Sequence, residues 1–101
     1  MLLLYTTFEE EDLARSTART LLKEGLIASA NITEIESLYR WQGDIMEEKE
    51  YLMLCKTTDE EKEQLQERLD ELHPYDTPAI VFYEASDTSG PYEDWVQEVT
   101  G

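Results

Sequence analysis

The chain is poor in the residues that form disulfides, thiolate sites and imidazole sites. It has one cysteine, Cys55, and one histidine, His73, among 101 residues. A single cysteine excludes an intramolecular disulfide and is typical of a reducing compartment. The opening segment MLLLY carries no basic leader, and its apolar run is too short for a signal peptide or a membrane span. The composition therefore predicts a soluble, cytoplasmic protein.

Basic residues are scarce as well. The chain has 8 Lys and Arg against 24 Asp and Glu, which gives a formal net charge of −16. A field of this sign repels nucleic acid and anionic membrane surfaces, so neither is an expected partner. A solvated acidic surface accounts for the excess and predicts adaptation to a salt-rich cytoplasm, because about 1 M salt shortens the Debye length to about 3 Å. The length predicts one domain over residues 1–101.

The motifs of common enzymes are also missing. The chain has no glycine-rich loop that would cradle a phosphate, and no nucleophile with a base and an orienting residue at a recognisable spacing. His73 and Asp76 are the one pair suited to proton transfer. The sequence therefore predicts a binding protein rather than an enzyme, with no required cofactor.

One pattern occurs twice: an apolar run, a Thr-Thr pair, an acidic cluster and a helical stripe. Thr7 with Glu10 fits a capping box before the first helix, and Thr58 with Glu61 fits one before the second. Gly25 ends the first helix, and Pro74 ends the second because it disfavours helical geometry in the residue before it. The helical stripes are Leu13, Ala14, Thr17, Ala18, Leu21 and Leu22 in the first unit and Leu65, Leu69 and Leu72 in the second.

A long hairpin joins these two strand–helix units. It covers residues 26–57, and Gly43 in its QGD turn supplies the positive φ that a tight hairpin needs. The run AIVFY, residues 79–83, predicts a fourth strand, and a short amphipathic helix begins at Pro91. The order βαββαβ with a terminal helix predicts an α+β fold of the ferredoxin-like, split βαβ type.

Two features of this fold predict a homo-oligomer. The strands LLLY, YLMLC and AIVFY are apolar on both faces, as in strands that are covered on both sides. The returning arm of the hairpin, residues 44–57, spans about 46 Å at about 3.3 Å per residue. A compact domain of about 100 residues has a diameter of about 34 Å. The hairpin should therefore overshoot its own domain and find cover on identical copies.

Four motifs together resemble those of the CutA family of divalent-cation tolerance proteins. They are the first TT pair, SLYRWQGDI at the hairpin, KTT before the second helix, and HPYDTPAI after it. The resemblance implies a cytoplasmic homotrimer whose long hairpins wrap neighbouring subunits. It also implies a role in tolerance of copper and other divalent ions, with weak or conditional binding of ions such as Cu²⁺. Similar trimers among PII-type signalling proteins suggest an alternative, a scaffold that binds a small anionic effector or a protein partner between subunits.

The chain departs from the family pattern at two positions. Ser29 stands where family members commonly have a cysteine, and Ala79 replaces a carboxylate after the HPY motif, in which Asp76 preserves another. Serine is a poor copper ligand, because copper prefers thiolate, thioether or imidazole. The remaining candidate ligands for a divalent cation are His73 and Asp76. The alternative for His73 is structural, since a histidine in the last turn of a helix interacts favourably with the free carbonyls there.

A second group of residues is expected at a cleft or interface between subunits. It consists of Tyr39, Trp41, Lys56, Tyr75, Tyr92 and Trp95. The aromatic residues of this group either pack at the interface or recognise a ligand, and the sequence leaves both roles possible. Lys56 either binds an anionic effector or pairs with a carboxylate.

Overall fold

The computed structural model describes residues 1–101 and contains four strands and three α-helices. The strands are β1 (Leu2–Phe8), β2 (Ser29–Trp41), β3 (Asp44–Thr57) and β4 (Val81–Glu84), and the helices are α1 (Glu11–Lys23), α2 (Lys62–Leu72) and α3 (Gly90–Val99). A 3₁₀ turn, Asp59–Glu61, precedes α2. The predicted α+β element order is confirmed. None of the helices combines the length and apolar character that crossing a bilayer requires.

All four strands form one antiparallel sheet in the order β2-β3-β1-β4. β2 and β3 pair along their whole length, from Ser29 opposite Lys56 to Trp41 opposite Asp44. The molecule measures 45 × 26 × 22 Å along its principal axes. Only residues 51–57 of β3 pair with β1, whereas residues 44–50 pair with β2 alone. This confirms that the hairpin extends beyond the rest of the sheet, as the count of residues in its returning arm predicts.

The hairpin turns through two residues in the left-handed region. Gln42 has φ 50° and Gly43 has φ 87°. A pair of positive φ values gives a two-residue turn whose twist matches that of the flanking strands. The prediction for Gly43 is therefore confirmed, and the same conformation at Gln42 was not foreseen because glutamine seldom adopts it.

The hydrophobic core lies between one face of the sheet and the helices α1 and α2. Its buried residues are Leu4, Phe8, Ala14, Ala18, Leu21, Leu26, Ile27, Met53, Cys55, Leu65 and Leu69. Most of the predicted helical stripes are therefore confirmed. Leu22 is an exception, with 42% of its surface exposed, because the next position on a helix turns away from the face that Leu21 buries.

Three local predictions need correction. Thr7 is not a helix cap, because β1 stays paired with β3 as far as Phe8 and the residue before α1 is Glu10, which makes no side-chain cap bond. Thr58 precedes the 3₁₀ turn, but its hydroxyl also makes no cap bond. The fourth strand begins at Val81 rather than at residue 79: its pairing with β1 ends where Tyr5 faces Val81, and further along β1 the carbonyl oxygen of Thr7 accepts a hydrogen bond from His73 instead.

The other face of the sheet, which we call the outer face, lies opposite α1 and α2. Strand alternation and register place on it Leu3, Tyr5, Thr7, Ser29, Asn31, Thr33, Ile35, Ser37, Tyr39, Trp41, Asp44, Met46, Glu48, Glu50, Leu52, Leu54, Lys56, Val81 and Tyr83. Val81 is 40% and Tyr83 52% exposed, although both belong to an apolar strand. Where β1, β4 and the last residues of β3 meet, the outer face is mostly apolar, as predicted, and this chain alone leaves it partly open; along the hairpin the same face also carries polar and charged side chains.

Gly25 shows why α1 ends where it does. Its φ is +72°, and a Cβ placed on it would lie 3.0 Å from the carbonyl oxygen of Gly101. We expect Gly25→Ala to lower the free energy of unfolding by about 1–2 kcal/mol, because alanine is strained in this conformation. Chemical denaturation measures the difference. Gly90→Ala is the matched control, since a Cβ there meets open space; an equal loss in both variants would contradict the conformational explanation.

Candidate binding cleft and the His73 turn

A cleft of about 630 Å³ opens between the outer face in the distal half of the hairpin and the loop that follows α2. Its walls are formed by Tyr5, Thr7, Glu9, Ser37, Leu38, Tyr39, Trp41, Met46, Glu48, Glu50, Tyr75, Asp76, Thr77 and Ala79. Four of these residues are carboxylates and none is Lys, Arg or His. The cleft therefore combines aromatic rings with a negative electrostatic potential.

Tyr39 and Glu48 form the first of two phenol–carboxylate pairs in the cleft. They face each other diagonally across β2 and β3, and the Tyr39 hydroxyl donates a hydrogen bond of 2.7 Å to Oε2 of Glu48. This bond raises the pKa of Tyr39 to about 12, because losing the proton would place two negative charges side by side. Tyr39 is therefore a neutral hydrogen-bond donor at physiological pH.

Tyr75 and Glu50 form the second pair. The Tyr75 hydroxyl donates to Oε2 of Glu50 at 2.8 Å. Burial raises the pKa of Tyr75, and the hydrogen bond to Glu50 raises it further. Only 8% of the surface of Glu50 is exposed. This bond fixes the loop after α2 onto β3 and leaves a carboxylate nearly enclosed.

His73 connects the loop after α2 to β1 through hydrogen bonds of its ring. Its Nε2–H donates to the carbonyl oxygen of Thr7 at 2.8 Å, and its Nδ1 accepts from the backbone N–H of Tyr75 at 3.2 Å. The ring stacks on Phe8 with centroids 4.4 Å apart and planes 12° from parallel. Burial lowers the pKa of His73, although the bond to the Thr7 carbonyl opposes this. His73 is thus a neutral imidazole that joins the end of α2 to β1.

The two predicted metal ligands differ in exposure and in hydrogen bonding. Asp76 is exposed at the cleft, whereas both ring nitrogens of His73 already have backbone partners. A cation at His73 would have to displace one of these bonds. No group of three or more His, Cys, Asp or Glu residues in the chain is arranged to hold a metal ion.

The positions that depart from the family pattern lie apart from each other. Ala79 lines the cleft, whereas Ser29 begins β2 opposite Lys56, and its buried Oγ has no hydrogen-bond partner. Cys55 is buried in the core, and burial raises the pKa of its thiol to about 12. A neutral buried thiol is a poor metal ligand, since the thiolate is the ligating form.

The predicted cleft residues divide into two groups. Tyr39, Trp41 and Tyr75 share the cleft with Asp76, but Lys56, Tyr92 and Trp95 are not among its lining residues. The Nζ of Lys56 donates a hydrogen bond to Oδ1 of Asn31, toward the other end of β3. Tyr92 and Trp95 lie on α3 with ring centroids 5.7 Å apart, and both are partly exposed.

Sequence reasoning missed Glu48 and Glu50, which make the polar bonds of the cleft. Both lie in the acidic stretch EEKE of the hairpin, which resembles an ordinary solvated segment. The available signal was their spacing of two residues in a strand, which puts both on one face. Only the sheet register shows that this face also holds Tyr39.

With this geometry established, comparison with known proteins decides the family. Residues 2–99 match the CutA1 divalent ion tolerance protein family. The chain belongs to this family. The divalent-cation tolerance protein CutA of Pyrococcus horikoshii is 44% identical over 99% of this chain and 98% of its own length. The protein of the same name from Thermotoga maritima is 42% identical over 97% of each chain.

Solved CutA1 structures have the same fold. The crystal structure of CutA1 from Pyrococcus horikoshii superposes with a TM-score of 0.96 at 42% identity and covers 100% of this chain and 99% of that one. The Cut A1 protein from Thermus thermophilus superposes with a TM-score of 0.95 at 40% identity over 100% of both chains. The resemblance drawn from four motifs is thus confirmed as family membership over nearly the whole sequence.

Proposed function

We propose that this CutA1 family member is a homotrimer, folded as one domain over residues 1–101, that acts in tolerance of or response to divalent metal ions such as copper. The family match supports the link to divalent ions. The exposed apolar residues of the outer face, Val81 and Tyr83 above all, carry the assembly. The role is one of binding rather than catalysis, since the cleft offers neutral phenols and carboxylates but no activated nucleophile.

The apolar surface that the single chain leaves uncovered supports the proposed association of copies. At the end of the hairpin, Trp41 on the outer face is 51% exposed, and Ile45 on the opposite face of β3 is 78% exposed. Contiguous exposed apolar surface is typical of interfaces. Copies of this chain offer complementary cover because each has the same projecting hairpin and the same open sheet. Light scattering at micromolar concentration tests the assembly, and a mass of 11.8 kDa would contradict it.

Weak divalent-cation binding is proposed at His73 and Asp76. Because one chain supplies too few ligands for a closed site, water or a second copy has to complete the coordination. We expect Cu²⁺ titration by calorimetry to give weak binding that His73→Gln and Asp76→Asn each reduce about tenfold or more. Asp87→Asn, in an exposed loop, is the matched control. Equal affinity in all four proteins would exclude this site.

A PII-like scaffold is a second candidate, and the size of the cleft favours it. A volume of about 630 Å³ is in the range of small-molecule sites. The acidic lining repels an anionic effector within one chain, so such a ligand would depend on Lys56. Screening of small anions against wild type and Lys56→Ala tests this candidate. Indifference to metals together with Lys56-dependent anion binding would favour it over the first.

Adaptation to a salt-rich cytoplasm is proposed from the net charge of −16. We expect the melting temperature to rise from about 0.01 M to about 1 M NaCl, because the Debye length falls from about 30 Å to about 3 Å and self-repulsion is screened. Differential scanning calorimetry measures the shift, and an unchanged midpoint would contradict it. Cell fractionation tests the proposed cytoplasmic location, and recovery of the protein outside the cytoplasmic fraction would contradict it.

A further inference from the structure

The charged residues of the outer face are separated along β3. Lys56 is the one Lys or Arg that strand alternation places on this face, whereas Glu48 and Glu50 lie toward the hairpin. Lys56 lies six positions after Glu50 in β3, a distance of about 20 Å at about 3.3 Å per residue. Within one chain these opposite charges are too far apart to form an ion pair.

Glu50 lacks a counter-charge. Its one hydrogen-bond partner is the neutral phenol of Tyr75, on Oε2, and it forms no salt bridge. The cleft around it adds three further carboxylates and no basic residue. His73, whose ring lies close by, is held neutral. An enclosed carboxylate without a cation is costly, so the cleft is incomplete in the single chain.

Lys56, in contrast, is a cation without a carboxylate partner. Arg15, Lys49 and Arg68 each form a salt bridge within the chain, but Lys56 bonds only the neutral amide of Asn31. Four other basic residues also lack a salt bridge, but Lys56 alone among them lies on the outer face, where assembly would cover it. Its apolar neighbours on the outer face, Leu3 and Leu54, belong to the surface that assembly would cover.

We propose that, in the assembled protein, Lys56 of a second copy of this chain completes the cleft by pairing with Glu50, beside Glu48. This inference rests on the proposed homotrimer. In a closed ring each copy donates one lysine to its neighbour and receives one from the other side, so the contact is head-to-tail and every cleft is filled alike. The pairing also fixes which parts of two outer faces meet.

Charge reversal tests the pairing. Lys56→Glu and Glu50→Lys should each weaken association roughly 100-fold, because each leaves like charges facing across the interface. The double variant, with both reversals in one chain, should regain the wild-type mass, since every contact in the ring is reversed together. Sedimentation measures mass against concentration, and circular dichroism checks folding. Lys62→Glu is the matched control, with the same change of charge at a lysine that packs over Phe82 on the core side of the sheet.

The outcomes distinguish the pairing from the assembly. A monomeric wild type would overturn the homotrimer and with it the pairing. If the wild type is a trimer and both single reversals keep its mass, the pairing is wrong and the homotrimer stands. The carboxylates of the cleft would then need a free cation. If a reversal unfolds the chain, Lys56→Gln and Glu50→Gln replace it. Their effects should not add, because either one removes the same pair; full additivity would overturn the proposal.

Discussion

His73→Ala is expected to lower the free energy of unfolding by about 2–4 kcal/mol. The substitution deletes a buried ring that stacks on Phe8 and leaves the Thr7 carbonyl and the Tyr75 amide without their hydrogen bonds. Unsatisfied buried polar groups and the remaining cavity both contribute to the loss. Urea denaturation at one fixed protein concentration measures it, because the stability of an oligomer depends on concentration.

Asp76→Ala is the matched control for this substitution. Asp76 lies three residues further along the same loop but is exposed, so its loss should cost no more than about 0.5 kcal/mol. If both variants lose the same stability, the effect belongs to the loop in general. If neither is destabilised, the structural role of His73 is wrong.

The pH dependence of stability gives an independent test of the same contacts. The pKa of His73 in the folded state lies below its ordinary value of 6.5, so the unfolded chain binds the proton more readily. The contribution of neutral His73 is therefore complete above pH 6.5 and is lost as the pH falls from 6.5 toward the folded pKa, by at most about 1.4 kcal/mol per pH unit. His73→Ala should remove this part of the slope between pH 7 and the folded pKa, and an unchanged slope would contradict it.

Tyr83→Glu is expected to convert the proposed trimer to a folded monomer of 11.8 kDa at micromolar concentration. Tyr83 is half exposed on the outer face of β4, so a charge is tolerated in the single chain. In the assembly the same charge would be buried among apolar side chains without a partner, which is strongly unfavourable. Light scattering measures the mass, and circular dichroism shows whether the fold is kept.

Leu22→Glu is the matched control for the outer face. Leu22 is similarly exposed and apolar, but it lies on α1, on the opposite side of the sheet. We expect its mass to equal that of the wild type. Dissociation of both variants would indicate that added charge alone disrupts the assembly, and dissociation of neither would place the interface elsewhere.

Local pattern determined most of the fold. Gly25 and Pro74 ended their helices as predicted, and Gly43 took the positive φ required by a two-residue turn. These features depend on the backbone preferences of a few adjacent residues, and those preferences follow directly from the residue types. The capping prediction at Thr7 failed because pairing of β1 with β3 competes with the local motif, and long-range pairing prevailed.

The length of the hairpin and the apolar character of the strands could also be predicted from the sequence, because residue counts and alternation do not depend on which segments pack together. The cleft was not. Glu50 meets Tyr75 only because sheet register and the loop after α2 bring together residues 25 positions apart. His73 likewise takes its partner from Thr7, 66 positions away. Such contacts depend on how distant segments pack, and only the tertiary structure decides that.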